Sequence, residues 1–181
     1  MFKRNTTTVN TDTGEIKELE SYFSYWDDEK GYLYKSHRKG LHFLDEDSID
    51  CSFQEKGMLF ELLHHTYKDS NILSKRTKNG IRPLKTEGIS NILGLGKSQT
   101  YSILNKFIRY KIMARVKIEL GGKIEIQYWL NPTYFLSGKY INSNLYFVFR
   151  DSLFNKIPEY IRDKFEDTDT PVHSINGKKR Q

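Results

Sequence analysis

The stretch from residue 86 to residue 110, TEGISNILGLGKSQTYSILNKFIRY, is the feature that most constrains the fold. Ile89, Ile92 and Leu93 recur at the spacing of one helical face, and the Thr-Glu pair before them suits a helix start. The Gly-Leu-Gly that follows begins with Gly94, which is free to take a positive φ. The sequence therefore predicts two helices joined by a tight turn, as in a helix-turn-helix.

The second helix is predicted to begin at Ser98, whose hydroxyl suits a helix cap. Apolar spacing predicts a buried stripe of Thr100, Ile103, Leu104, Phe107 and Ile108. The residues left on the outward face are Lys97, Ser98, Gln99, Tyr101, Ser102, Asn105, Lys106 and Arg109. This face is basic, amide and hydroxyl in character and contains no acid, which suits a polyanionic partner.

Residues 112–130 alternate apolar and polar side chains around Gly121 and Gly122. Glycine pairs favour two-residue hairpin turns because both positions tolerate a positive φ. One face is predicted to present Val116, Ile118, Leu120, Ile124 and Ile126. The other face is predicted to present Arg115, Lys117, Lys123 and Gln127. A hairpin directly after two such helices indicates a wing.

With these features together, residues 81–130 resemble the winged helix-turn-helix of MarR-type and related bacterial DNA-binding proteins. In those proteins a short strand, here 81–84, precedes the two helices. The N-terminal TDTGEIKE and the LNPTYFLSGK after the hairpin are similar to elements of RepL-type plasmid replication initiators of Gram-positive bacteria and their phage-borne relatives. In that family a D/E-x-G-E-[VI] element precedes the helices, and L-N-P with apolar residues and a glycine follows the wing. The resemblance covers most of residues 10–139 and implies origin binding.

Charge is distributed unevenly along the chain, which has a net charge of +6 and a pI near 9.2. Residues 1–50 hold seven basic and eleven acidic side chains. Between residues 75 and 115 the only acid is Glu87. The ten basic residues there are Lys75, Arg76, Lys78, Arg82, Lys85, Lys97, Lys106, Arg109, Lys111 and Arg115. Positive charge is therefore concentrated on the segment expected to meet phosphates.

The expected fold class is α+β, a winged helix-turn-helix with extensions on both sides. Residues 1–50 are expected to form a β-rich extension, 51–131 the DNA-binding domain, 132–165 a packing or dimerisation element, and 166–181 a flexible basic tail. The single cysteine, Cys51, is compatible with a reducing compartment. No apolar run approaches the ~18 residues needed to cross a bilayer, and no secretion signal is evident. A cytoplasmic protein without membrane contact is expected.

Before the predicted helices, residues 1–9 are expected to be loose and residues 12–15 to form a turn. The aromatic-rich region 21–47 has strand character, with turns near 29–31 and 39–40; its aromatic residues either pack in a core or stack on unpaired bases. Helical spacing predicts a bracing helix within 52–67. Residues 70–80 are interpreted as a polar loop. Three of its residues either contact backbone phosphates or are simply solvated, namely Lys75, Arg76 and Lys78.

After the hairpin, Asn131-Pro132 is predicted to open a turn into one helical turn at 133–136, ending at Gly138. The apolar run LYFVF, 145–149, is predicted to be a strand, and 151–165 an amphipathic helix with a possible kink at Pro158. This part either forms a dimer surface or covers the rest of the same core.

The sequence argues against several other chemistries. Gly96-Lys97-Ser98 ends like a phosphate loop, but Asn91 stands where that motif requires glycine. His64 and His65 are adjacent and have no partner at ligand spacing. No catalytic set stands out, so no enzyme, cofactor or metal is expected.

The leading hypothesis places the second helix in the major groove of DNA, with Gln99, Ser102 and Asn105 near base edges. Lys97, Lys106 and Arg109 are expected near phosphates, and Tyr101 near a phosphate or a thymine methyl. On the hairpin, Arg115, Lys117 and Lys123 would reach the backbone or minor groove. The expected biological role is replication initiation, with recruitment of host replication or transcription proteins. The alternatives are transcription regulation and, third, a protein- or RNA-binding adaptor. The protein could act as a homodimer.

Overall fold

The structure is a computed structural model that describes residues 2–9, 16–23, 25–34, 51–68 and 70–167, the first two stretches as backbone. It confirms a mixed α+β protein, with helices and small antiparallel sheets. The strands are β1 (Phe2–Val9), β2 (Ile16–Phe23), β3 (Trp26–Asp27), β4 (Gly31–Leu33), β5 (Ser74–Thr77), β6 (Gly80–Pro83), β7 (Met113–Leu120), β8 (Lys123–Leu130) and β9 (Tyr140–Ile141). The helices are α1 (Phe53–Leu63), α2 (Thr86–Leu93), α3 (Lys97–Arg109), α4 (Ser143–Val148), α5 (Arg150–Leu153) and α6 (Glu159–Asp167).

The N-terminal part is β-rich, as predicted. β1 pairs with β2 in antiparallel register from Phe2 opposite Phe23 to Val9 opposite Ile16. The prediction that residues 1–9 are loose is therefore wrong for the part described, because the run of β-branched residues at 6–9, TTTV, favours extended backbone. The turns predicted at 12–15 and 39–40 lie outside the described residues.

The predicted turn at 29–31 is confirmed, and it leads into a sheet that joins residues 26–33 to residues 140–141. β4 pairs with β3 on one side and with β9 on the other. Gly31 has a φ of 87°, and a Cβ there would lie 2.3 Å from the Ile141 carbonyl oxygen, so only glycine fits. Trp26 packs edge-on against Phe165 at 4.8 Å between ring centroids. For Trp26 the core interpretation of the aromatic residues is thus correct.

Helix α1 is the predicted bracing helix. Ser52 caps it by accepting from the Glu55 backbone N–H at 3.3 Å, and the Glu55 carboxylate accepts from the Ser52 N–H at 2.8 Å. This reciprocal pair satisfies two donors that helix geometry leaves free. Leu59, Leu62 and Leu63 are buried against α2 and α3.

The turn between α2 and α3 has the predicted geometry. Gly94 adopts a left-handed φ of 63°, and Leu95 packs on the core, with its N–H bonded to the Ser90 carbonyl at 3.1 Å. The predicted cap is wrong, since α3 begins one residue earlier, at Lys97, with Gly96 as its cap. The Gln99 side-chain oxygen accepts from the Gly96 N–H at 3.3 Å, so a polar side chain still caps the N-terminus of α3.

Hairpin β7–β8 has the predicted strands and turn, with φ values of 58° and 75° at Gly121 and Gly122. The predicted faces are wrong for β8. Val116 lies opposite Gln127, and Lys117 lies opposite Ile126. Directly opposed residues share a face, and this register pairs even positions on β7 with odd positions on β8.

The consequence of this register is an exchange of apolar and polar positions on β8. Gln127 is buried and accepts from the Trp129 indole N–H at 3.0 Å. Ile124 and Ile126 are 72% and 43% exposed, on the same face as Lys117. The hairpin therefore carries an exposed apolar pair that the alternation pattern had assigned to the same face as Val116.

The loop predicted over residues 70–80 is wrong for most of its length, because residues 74–77 and 80 lie in strands. β5 and β6 form a second hairpin, closed by the Thr77 hydroxyl bonding to the Gly80 carbonyl at 2.7 Å. The strand expected at 81–84 exists as β6, but it pairs with β5 rather than with the hairpin β7–β8. Residues 71–73 take that place, because Leu73 donates to the Tyr128 carbonyl at 2.8 Å and Leu130 donates to the Asn71 carbonyl at 2.9 Å.

A single helical-type turn is present close to the predicted 133–136, because Phe135 donates to the Asn131 carbonyl at 3.1 Å. The rest of the C-terminal part differs from prediction in two respects. Residues 145–148 of the run LYFVF lie in α4, capped by Asn142 accepting from the Leu145 N–H at 2.9 Å, and not in a strand. The helix expected over 151–165 is divided into α5, which ends at Leu153, and α6. Pro158 has no N–H to extend the first segment, and its carbonyl accepts from the Ile161 and Arg162 N–H groups at the start of α6.

Two buried clusters meet at the base of β7–β8. Met113, Tyr128 and Leu130 face the cluster formed with α1, α2 and α3. Val116 and Trp129 face the cluster formed with α4, α5 and α6, where Leu153, Ile157, Ile161 and Phe165 are buried. Apolar spacing in the helix predicted over 151–165 places Phe154 on one side together with these four residues, but Phe154 is 52% exposed. No helix among the described residues is both long and apolar enough to span a bilayer.

Candidate nucleic-acid interface

The outward face of α3 is the centre of the candidate site. Thr100, Ile103, Leu104 and Phe107 are buried as predicted, and the opposite side is exposed. At 3.6 residues per turn, the positions furthest from the core are 98, 102, 105 and 109. A continuous outward stripe therefore presents Ser98, Ser102, Asn105 and Arg109.

Side chains of different character flank this stripe. Lys97 and Tyr101 lie on one side, and Tyr101 is 41% exposed. Gln99 and Lys106 lie on the other side. Gln99 is exposed although its carbonyl oxygen caps α3, which restricts its freedom to read a base. The Arg109 guanidinium lies 5.4 Å from the centre of the Tyr110 ring, within range of a cation–π contact.

Lys106 differs from the other predicted contacts because its charge is already paired. Its Nζ lies 2.6 and 2.7 Å from the two carboxylate oxygens of Glu55 in α1. This hydrogen bond holds the pKa of Glu55 below its ordinary value and raises the pKa of Lys106. The pair lowers the net positive charge at this edge of α3, and sequence reasoning missed it because the two residues lie 51 positions apart.

Asn131 positions the hairpin relative to α3. It is fully buried; its side-chain amide donates to the Lys111 carbonyl at 2.7 Å, and its backbone N–H donates to the Ile112 carbonyl at 2.9 Å. Lys111 has a left-handed φ of 57°, which turns the chain out of α3. Asn131 also accepts from the backbone and the hydroxyl of Thr133 at 3.0 and 2.9 Å. The end of β8 is thus fastened to the beginning of β7.

Three hairpin cations were predicted to reach DNA, and all are exposed: Arg115, Lys117 and Lys123. The register separates them, because Arg115 and Lys117 share one face while Lys123 belongs to the other. Arg115 and Lys117 lie on the face whose base packs on the α1–α3 cluster. The exposed Ile124 and Ile126 accompany them on that face.

The basic residues predicted on a loop lie on the β5–β6 hairpin. Lys75, Arg76 and Lys78 are exposed. Lys75 lies directly opposite Arg82, whereas Arg76 lies opposite Ile81 and so points to the other face. Two basic residues that were not predicted as contacts, Arg82 and Lys85, are also exposed here.

Asn71 fastens the start of this hairpin to the rest of the molecule. Its side-chain amide donates to the Leu130 and Phe135 carbonyls at 3.0 and 2.6 Å, and its oxygen accepts from the Ser137 N–H at 2.8 Å. It is fully buried and has a φ of 55°, a conformation that asparagine tolerates better than most residues. Its turn-forming character was the only sequence signal for this role.

Comparison with known proteins identified no relative of this chain. No family model, curated protein or solved structure matches the chain. The functional argument therefore rests on the residues themselves. The described residues contain no group of three or more His, Cys, Asp or Glu side chains placed to hold a metal ion.

Proposed function

We propose that the chain is a sequence-specific double-stranded DNA-binding protein with a winged helix-turn-helix. The order α1, residues 71–73, α2, α3, β7 and β8 supports this assignment, with residues 71–73 pairing to β8 and the hairpin serving as the wing. The observation that carries the proposal is the outward stripe of α3, which combines hydroxyl, amide and guanidinium groups on an exposed helix. Hydroxyl and amide groups recognise base edges in the major groove, and a guanidinium binds backbone phosphate.

Within this proposal, Ser102 and Asn105 contact base edges. Lys97 and Arg109 contact phosphates, and Arg115 and Lys117 extend the contact from the wing. Lys106 contributes less to phosphate binding than Lys97 because Glu55 neutralises its charge. The wing is set at a fixed angle to α3 by the bonds of Asn131.

The biological use we propose is recognition of a replication origin on a plasmid, phage or other mobile element. Support comes from the resemblance of TDTGEIKE and LNPTYFLSGK to RepL-type initiators. The Asn of the second motif is the buried residue that fastens the turn after α3, so this motif has a structural role beside the proposed interface.

Selection from a random duplex library followed by footprinting on the DNA around the protein's own gene tests the proposal. An origin with repeated sites is the expected protected region. Protection of a promoter alone would indicate a transcription regulator instead. Failure to retain any duplex at modest ionic strength would refute the DNA-binding proposal itself.

A further inference from the structure

A concave groove separates the β5–β6 hairpin from α2. Its volume is about 380 Å³, and Lys75, Arg82 and Lys85 contribute to its walls. Glu87 is the one acidic residue among its lining residues, and Asn91 adds an amide. The groove thus gathers three cations and one carboxylate from the hairpin, from the short connection that follows it and from α2.

The arrangement of these cations is unfavourable for the isolated protein. Lys75 and Arg82 are directly opposed across the hairpin, and like charges in that position repel each other. In the part of the chain that the structure describes, no carboxylate forms an ion pair with Lys75, Arg82 or Lys85. Residues 74–86, SKRTKNGIRPLKT, contain no acid. A bound anion would relieve this repulsion.

The hairpin that presents these charges is firmly held. Leu73 and Leu84, at its base, are buried and joined by a backbone hydrogen bond of 2.8 Å. Leu73 in turn donates to the Tyr128 carbonyl at 2.8 Å, and the Tyr128 hydroxyl lies 3.0 Å from the Thr86 hydroxyl at the start of α2. The same strand, β8, therefore positions both walls of the groove and one side of the proposed wing.

We infer that this groove is a second contact for the phosphate backbone of the bound duplex, separate from α3 and the wing. Lys75, Arg82 and Lys85 supply the charge, and a cleft lined mostly by one sign of charge concentrates its field on the ligand. The inference rests on the proposed function. It adds a contact that fixes the protein on the duplex without reading sequence.

The test compares the full chain with the double variant Lys75→Gln/Arg82→Gln, using a random-sequence duplex and a duplex selected for tight binding. Each lost phosphate contact lowers the slope of log affinity against log salt by about 0.9, so a decrease of about 1.8 is expected. Both duplexes should bind more weakly by a similar factor, of roughly tenfold at moderate salt. Discrimination between them should not change.

Controls separate this contact from folding and from general charge. Lys139→Gln/Lys164→Gln removes the same charge from exposed positions elsewhere and should retain the parent slope. The thermal midpoint of Lys75→Gln/Arg82→Gln should equal or exceed that of the parent, because the substitution removes a repulsion. Lys85→Gln, outside the hairpin, should lower the slope by about 0.9 on its own.

The outcomes distinguish the two proposals. If the double variant keeps the parent affinity and salt slope while Arg109→Gln or Lys117→Gln lowers both, the groove is not a phosphate contact and the proposed function stands. If the parent protein shows no salt-dependent binding to either duplex, the proposed function fails and the groove contact fails with it.

Discussion

The Nζ of Lys106 in α3 contacts both carboxylate oxygens of Glu55 in α1, at 2.6 and 2.7 Å. The same carboxylate accepts the Ser52 N–H that closes the start of α1. The Glu55 side chain therefore caps α1 and also links α1 to α3, the helix that we propose contacts the bases of DNA.

Replacing Glu55 by Gln should keep the helix cap, because a glutamine oxygen can still accept the Ser52 N–H, but lose the ion pair. The folded-state pKa of Glu55 is below its ordinary value of 4.5, so the pair stabilises the fold above pH 4.5 and this contribution is lost as the pH falls through the folded-state pKa. Denaturant unfolding should show lower stability of the variant at pH 7 and a smaller loss on acidification. Glu61→Gln, an exposed position on α1, should behave like the parent.

Replacing Lys106 should affect DNA binding less than replacing Lys97. Lys97 is exposed, whereas Glu55 already neutralises Lys106. Lys97→Gln is expected to lower the salt slope of duplex binding by about 0.9, and Lys106→Gln by clearly less. Equal slopes for the two variants would contradict the inference that pairing with Glu55 reduces the contribution of Lys106 to phosphate binding.

Asn105→Ala should reduce discrimination between specific and random duplexes by about 1–3 kcal/mol, the value of a good base contact. Asn105 lies on the outward stripe of α3, so the fold should tolerate the change. Competition binding measures the ratio of affinities, and Asn144→Ala, an exposed asparagine in α4, is the matched control. An unchanged ratio would remove Asn105 from the proposed interface.

Asn71→Ala should lower the free energy of unfolding by roughly 3 kcal/mol, because it leaves buried backbone groups without partners. The affected groups are the Leu130 and Phe135 carbonyls and the Ser137 N–H. Chemical denaturation of the variant and of Asn144→Ala provides the comparison. Equal stability would show that these three bonds are replaced by others.

Val116→Thr should cost roughly 1–2 kcal/mol because it buries a hydroxyl in an apolar site. Ile124→Thr should change stability by less than about 0.5 kcal/mol, as expected for an exposed position. Val116 is 2% exposed and Ile124 is 72% exposed. Unfolding curves of the two variants test the register directly, since the alternation pattern by itself predicts equal losses.

Local patterns predicted the helices and turn of residues 86–110 because those residues determine their own geometry. The apolar spacing of α3, the left-handed Gly94 and the Gly121-Gly122 turn all act within a few positions. The exposure of the outward face of α3 followed from the same spacing.

Errors arose where the structure depends on pairing. The face on which Ile124 lies follows from the register across Gly121 and Gly122. Counting outward from this two-residue turn places Leu120 opposite Lys123 and therefore gives the register of the whole hairpin. The β5–β6 hairpin also had a signal in Asn79-Gly80, a common turn pair, but its basic side chains favoured a loop interpretation. In α4 the run LYFVF fits a strand and a helix equally well, and the cap at Asn142 decides.

Other features could not be predicted from local sequence. The pairing of Lys106 with Glu55 joins residues 51 positions apart, which only the folded chain brings together. Asn71 and Asn131 are fully buried, a rare environment for asparagine, and their partners lie up to 66 positions away.

The base of the β7–β8 hairpin is covered on both sides, by Tyr128 and Leu130 packing one way and Val116 and Trp129 packing the other. A fragment ending after Asn131 would leave the Trp129 indole and the Val116 side chain facing water. Helix α3 and the proposed wing therefore do not form a domain that folds without the C-terminal helices. Truncated forms made for expression should retain the chain as far as Phe165.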